Sequence, residues 1–216
     1  MRHLAVPFLL SASLLAAAAT PKLSFIKSFP GSVPAYCSVE VDKTGALHYK
    51  ESPTDEQPIK AQLPQSDAAA LFALAEKLQF FKTPIESGLK VANTGKKTFR
   101  YEDESGAATE VVFNYSTDLN AQQLLDRFEQ IAASERAFID LDRTVHFDKL
   151  GVNDALAEIE ALWVRKQLAA PAQFVPLLNR IINRESFMHL VRDRAARLKE
   201  EFLAPPPADV AVSPKK

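Results

Sequence analysis

The sequence predicts an α+β fold: tandem ββα units forming a four-stranded antiparallel sheet with helices on one face, plus a C-terminal helical extension. Three observations carry this reading. Two pairs of alternating apolar and polar runs are each closed by an Asp-x-x-Gly turn, at Asp42-Lys43-Thr44-Gly45 and at Asp103-Glu104-Ser105-Gly106. Each pair is followed by a segment whose apolar residues recur at helical spacing. After Ala133 no alternating pattern returns, and helical spacing continues alone.

Residues 1–19 are expected to be a signal peptide. Arg2 and His3 precede an apolar run from Leu4 to Ala19, and Ala17 and Ala19 stand where a signal peptidase requires small residues. The run is short for a bilayer span, and no second apolar stretch reaches that length. The expectation is therefore an exported protein, periplasmic or secreted, with no transmembrane segment after cleavage.

Residues 20–145 are expected to form the tandem ββα domain. In the first hairpin, Gly45 is placed in a left-handed conformation at the end of a three-residue loop. That register sets Val41 across from Leu47, Val39 across from Tyr49 and Glu40 across from His48. Cys37, Val39, Val41, Leu47 and Tyr49 then share one face, and Ser38, Glu40, His48 and Lys50 share the other. The same loop at Gly106 sets Tyr101 against Thr109, Phe99 against Val111, Lys97 against Phe113 and Arg100 against Glu110. The first helix is expected to start at Ser66 as its N-cap, with an apolar stripe of Ala70, Leu71, Leu74, Leu78 and Phe81. The second is expected to start at Thr117, with Ala121, Leu124, Leu125, Phe128, Ile131 and Ala132 inward. Between the two units, Leu89 to Val91 could form a short strand.

Residues 146–203 are expected to form a three-helix extension. Val152, Leu156, Ile159, Leu162 and Trp163 make one stripe, ending near Leu168. Pro171 suits the first position of the next helix, whose inward residues are Phe174, Leu177, Leu178, Ile181 and Ile182. Ser186 is the expected cap of the last helix, which carries Phe187, Leu190, Val191, Ala195, Leu198 and Phe202. Residues 204–216 are Pro-rich and expected to be disordered.

Composition narrows the function classes. A hydrophobic content of 47% supports a packed core. A formal net charge of −1 lacks the basic excess of a dedicated nucleic-acid binder. Cys37 is the single cysteine, so no intramolecular disulfide can form. The expected register puts Cys37 and His48 on opposite faces, which separates the one possible nucleophile–base pair. Glu40 beside His48 has the form of a proton-transfer pair, but a solvated cross-strand pair has the same signature. Asp140, Asp142, His146 and Asp148 form an acid–histidine group in which Asp142 and His146 are one helical turn apart. His189, Arg192, Arg194, Arg197 and Lys199 make a basic stripe on the last helix, diluted by Asp193, Glu200 and Glu201. Phosphate-binding glycine loops, nucleophile elbows, His-Glu-x-x-His and Cys-x-x-Cys motifs are all missing, so no cofactor is expected.

Several segments together resemble a group of exported bacterial proteins of unknown function. They are Thr94-Gly95-Lys96-Lys97-Thr98-Phe99-Arg100-Tyr101, Val112-Phe113-Asn114-Tyr115, Leu124-Leu125-Asp126-Arg127-Phe128-Glu129, Phe147-Asp148-Lys149-Leu150-Gly151-Val152, and Ala170-Pro171-Ala172-Gln173-Phe174-Val175-Pro176-Leu177-Leu178. The resemblance implies export and continuity between the two halves, and it brings no activity or site residue with it. The functional expectation is an exported, non-catalytic protein that binds a protein or cell-envelope component. Its candidate partner-binding residues are Glu40, His48, Lys50, Arg100 and Glu110 on the open sheet face, and Arg192 and Arg194 on the last helix. The alternative is an exported hydrolase or metal-dependent enzyme using the Asp140 to Asp148 region.

Overall fold

The computed structural model describes residues 19–204. The expected signal sequence, except Ala19, and the Pro-rich tail from Pro205 lie outside the described residues. The chain builds β1 (Lys22–Ser28), β2 (Tyr36–Asp42), β3 (Ala46–Lys50), β4 (Ile59–Gln62), α1 (Gln65–Lys77), β5 (Lys96–Glu102) and β6 (Ala108–Phe113). It continues with α2 (Leu119–Phe147), α3 (Val152–Val164), α4 (Val175–Ile182) and α5 (His189–Leu203), with short 3-10 turns at Gln79–Phe81 and Pro171–Phe174. The α+β class is as expected.

The sheet has six antiparallel strands in the order β4-β3-β2-β1-β5-β6, not the four read from the sequence. The added central strand is β1, which pairs with β2 on one side and β5 on the other. It therefore joins the two hairpins, which do not pair with each other directly. Its alternation is real, with Leu23 and Phe25 fully buried, but its third inward position is Lys27 and a seven-residue link separates it from β2, opened by a turn at Phe29-Pro30-Gly31-Ser32. The added edge strand is β4, only four residues long and lying between Pro58 and Pro64. Prolines flanking an edge strand remove no ladder bond, so they did not forbid it. Leu89 to Val91 forms no strand.

Both hairpin registers agree with the sequence reading. Val39 pairs with Tyr49, Val41 with Leu47 and Glu40 with His48. Phe99 pairs with Val111, Lys97 with Phe113 and Arg100 with Glu110. The two turns are near copies. Asp42 Oδ1 accepts from the Thr44 amide at 2.8 Å, the Thr44 hydroxyl at 2.6 Å and the Ala46 amide at 3.0 Å. Asp103 Oδ1 accepts from the Ser105 amide at 2.8 Å, the Ser105 hydroxyl at 2.6 Å and the Ala107 amide at 3.0 Å. Gly45 and Gly106 close them at φ +86° and +83°.

Their surroundings differ, which yields a test. A Cβ on Gly106 would meet nothing within 4 Å, whereas one on Gly45 would lie 2.5 Å from the Leu63 carbonyl oxygen. Gly106→Ala should cost about 1–2 kcal/mol, the ordinary left-handed penalty. Gly45→Ala should cost clearly more, because the backbone leaving β4 must also move. Equal losses in chemical denaturation would contradict this packing of β4.

Helices α1 and α2 cover one face of the sheet. Leu71, Phe72, Ala75 and Leu78 from the α1 region, and Ala121, Leu124, Phe128 and Ile131 from α2, pack on Leu23, Phe25, Val39, Val41, Leu47, Tyr49 and Phe99. Phe25 stacks on Phe128 with centroids 5.5 Å apart and sits 5.9 Å from Phe99. Several helix starts differ from expectation. Asp118, not Thr117, caps α2, accepting from the Asn120 and Ala121 amides at 2.7 and 3.1 Å. Ser66 lies inside α1, which begins after Pro64, and α5 starts after Met188 rather than at Ser186. Helix α3 ends at Val164 rather than near Leu168.

Helix α2 has 29 residues and so extends roughly 43 Å. Its first half belongs to the sheet core. Its second half supplies Ala137, Leu141 and Val145 to a second core with α3, α4 and α5. At the crossover lie two fully buried polar residues, Ser134 and Glu135. The Ser134 hydroxyl oxygen accepts the Ala169 amide at 2.8 Å. Glu135 Oε1 accepts the Gln173 amide nitrogen at 2.8 Å. Glu135 Oε2 and Gln173 Oε1 are both buried and have no hydrogen-bond partner. Burial pushes the Glu135 carboxyl up to about 7, against the opposing pull of the Gln173 amide. A proton on Oε2 turned toward Gln173 Oε1 would satisfy both atoms in one acid–amide ring.

Candidate functional site

The sheet has one covered face and one open face. Strand alternation places Ser24, Ile26, Ser38, Glu40, His48, Lys50, Thr98, Arg100 and Glu110 on the open side. Pairing aligns one complete row across all six strands: Lys60, His48, Glu40, Ser24, Arg100, Glu110. The next row runs Lys50, Ser38, Ile26, Thr98, Val112. Within these two rows the charges lie toward the flanks and the centre carries Ser24, Ser38, Ile26 and Thr98, while the row beyond places Lys22 between Asp42 and Glu102.

The charged flanks are locally paired. Glu40 lies 3.0 Å from Lys22 and 3.7 Å from His48. Arg100 lies 3.2 Å from Glu102 and 3.7 Å from Glu110. All of these side chains remain more than a third exposed. Pairs of this kind contribute little stability, so they can exchange partners at low cost. The structure therefore brings Glu40, His48, Lys50, Arg100 and Glu110 onto one surface.

It does not bring Arg192 and Arg194 into that surface. Both are engaged within the helical half. Arg192 Nε donates to the Ile182 carbonyl at 2.9 Å. Arg194 donates to Asn153 Oδ1 at 2.7 Å and pairs with Glu160 at 3.2 Å. Arg197 reaches the same Glu160 at 2.8 Å. These residues hold α5 against α3 and α4, which spacing along α5 alone could not reveal.

The acid–histidine group does not converge as a whole, although Asp142 Oδ1 lies 3.3 Å from His146 Nδ1, one helical turn away. Asp140 pairs with Arg143 along the helix surface. His146 Nδ1 contacts the Asp142 carbonyl at 2.7 Å, and its Nε2 contacts Arg180. Asp148 accepts the Gly151 amide at 3.1 Å. Among the described residues, no three His, Cys, Asp or Glu side chains are grouped to hold a metal ion. Cys37 is buried on the core face, where burial pushes its thiol up, while His48 lies on the open face.

A second feature lies on the covered side, at the end of the sheet. Between β1, β5 and β6 and the first half of α2 is a cleft of about 370 Å³. Lys27 and Lys97 project into it from directly paired positions. Lys27 Nζ donates to Glu129 Oε1 at 2.8 Å. Lys97 is only 4% exposed. Its ammonium donates to neutral oxygens alone, at 2.8 Å to Thr94 Oγ1, 2.8 Å to the Asn114 carbonyl and 3.4 Å to the Gly95 carbonyl. Burial, and then the charge of Lys27, hold the Lys97 ammonium below its ordinary value. The sequence signal for this pair is a lysine at core parity in each strand, after Leu23 and Phe25 in β1 and before Phe99 in β5. Their adjacency became visible only once β1 was placed.

Comparison of the chain with protein-family models, with curated proteins and with solved structures found no match. Among the described residues, no helix is long and apolar enough to cross a membrane.

Proposed function

We propose that this chain is an exported, non-catalytic binding protein whose open sheet face engages a protein component of the cell envelope. The apolar leader and the resemblance to exported bacterial proteins support the location. The observation that carries the binding reading is the six-strand row in which Lys60, Glu40, Arg100 and Glu110 alternate in sign, on a face to which neither hydrophobic core contributes a side chain. Strands lie about 4.8 Å apart, so the row holds Lys60, Glu40, Arg100 and Glu110 at set spacings across the sheet. Alternation of sign suits a protein surface of complementary pattern, where charge fixes register and partner choice. It does not suit a polyanion, which needs a single-sign field. The neutral centre at Ser24, Ser38, Ile26 and Thr98 permits close approach. The placement of Cys37 and His48 on opposite faces, and the engagement of Asp140 and Asp148 away from the Asp142–His146 pair, favour binding over catalysis.

The test is affinity capture of the mature protein from an envelope extract, with two charge-reversed variants in parallel. A partner retained by the native protein should be lost, by about tenfold or more, with the double variant Glu40→Lys, Arg100→Glu. It should be retained with Lys199→Glu on α5. Retention by the double variant would defeat the open-face assignment.

A further inference from the structure

The lysine-lined cleft lies on the side of the sheet opposite the face assigned above and stands on separate observations. Two ammonium groups occupy directly opposed core-facing positions, where like charges work against the pairing. One carboxylate, Glu129, is bonded to one of them. The fields of Glu129 and Glu86 reach Lys97, but neither group hydrogen-bonds it. A hydrophobic residue of similar volume would hold the Lys97 position at least as well, because a buried charge bonded only to neutral groups is costly. Departures of this kind from core patterning concentrate at functional sites. Of the two carboxylates in the lining, Glu129 is bonded to Lys27 and Asp126 is exposed, so no carboxylate is bonded to Lys97.

We propose that this cleft binds a small organic monocarboxylate, with its anionic oxygens on Lys97 and Lys27. Its volume falls within the range of small-molecule sites. Phe113 and Leu125 offer apolar surface to the body of such a ligand, and Tyr115, Ser116 and Gln122 supply polar groups around it. The 3.4 Å bond from Lys97 to the Gly95 carbonyl is the weakest of its three and is the one a ligand oxygen replaces. Asp126 is also part of the lining and is exposed. Its charge is tolerable beside a monoanion and unfavourable beside a dianion, which selects carboxylate over phosphate.

The experiment titrates the ¹⁵N-labelled mature protein with sodium benzoate, sodium octanoate, benzamide and inorganic phosphate. At least one of the two carboxylates should give saturable amide shifts confined to residues 94–97, 113–116 and 122–129. Benzamide and phosphate should bind about tenfold more weakly or not at all. Lys97→Met should weaken carboxylate binding about tenfold while leaving the thermal midpoint no lower than that of the native protein. If Lys97→Met does not fold, Lys27→Met takes its place with the same expected loss. The proposal is overturned if neither carboxylate shifts cleft amides, if benzamide binds as well as benzoate, or if the lysine variant binds as well as the native chain.

Discussion

Glu135→Gln should make the protein more stable than the native chain at pH 8.5 and about equally stable at pH 4.5. The reason is the buried carboxyl where α2 passes from one core to the other. In the folded protein burial raises it from 4.5 to about 7, so the fold keeps a proton that the unfolded chain releases. Below the ordinary value both states hold the proton, and the group gives no pH dependence. Between about 4.5 and 7 the unfolded state alone has lost it, so stability falls as pH rises. Above that window the deficit is constant, roughly 3 kcal/mol at about 1.4 kcal/mol per unit. A glutamine abolishes the titration and can still form a paired amide ring with Gln173. Urea denaturation of both proteins across this range should therefore give curves that meet in acid and diverge by roughly 2–3 kcal/mol in mild alkali. Parallel curves would mean that Glu135 is not the buried acid described.

Phe25→Ala should cost about 3–5 kcal/mol, and Ile26→Ala, one residue along the same strand, about 1 kcal/mol or less. Phe25 is fully buried at the middle of β1, against Phe99 and Phe128. Its loss empties the space where both hairpins and α2 meet. Ile26 points to the opposite face, lies between Ser38 and Thr98 and belongs to neither core. The contrast tests the place of β1 and the openness of the second face together. Similar losses at the two positions would mean that something covers Ile26.

The legible parts of the fold were those whose side chains and turns agree. The alternation around Gly45 and Gly106 admits one register that separates apolar from polar residues, and both ladders adopt it. The last three helices could be read because Leu156, Ile159, Leu178, Ile181, Val191 and Leu198 repeat at helical spacing and are buried. Strand β1 was not legible because the turn at Pro30-Gly31 sits in a longer link to β2, its pairing with β5 is tertiary, and Lys27 breaks its apolar face. The caps at Asp118, Pro64 and Met188 were misplaced where a nearby Ser or Thr looked equally able to accept an amide. On the open face, Glu40 opposite His48 and Arg100 opposite Glu110 followed from hairpin register alone. The alignment of those two pairs into one row required Ser24 between them. The basic stripe on α5 was misleading because Asn153 and Glu160, the partners of Arg194 and Arg197, lie more than thirty residues away.

The most direct test of the open-face account is photocrosslinking from Ser38, with Lys199 on α5 as the control site, in cells that make the protein. Ser38 lies in the neutral centre of the open face, and the account predicts one discrete protein adduct from it and none of that mass from Lys199. Adducts identical at both positions, or none at Ser38 and none at neighbouring Thr98, would contradict it.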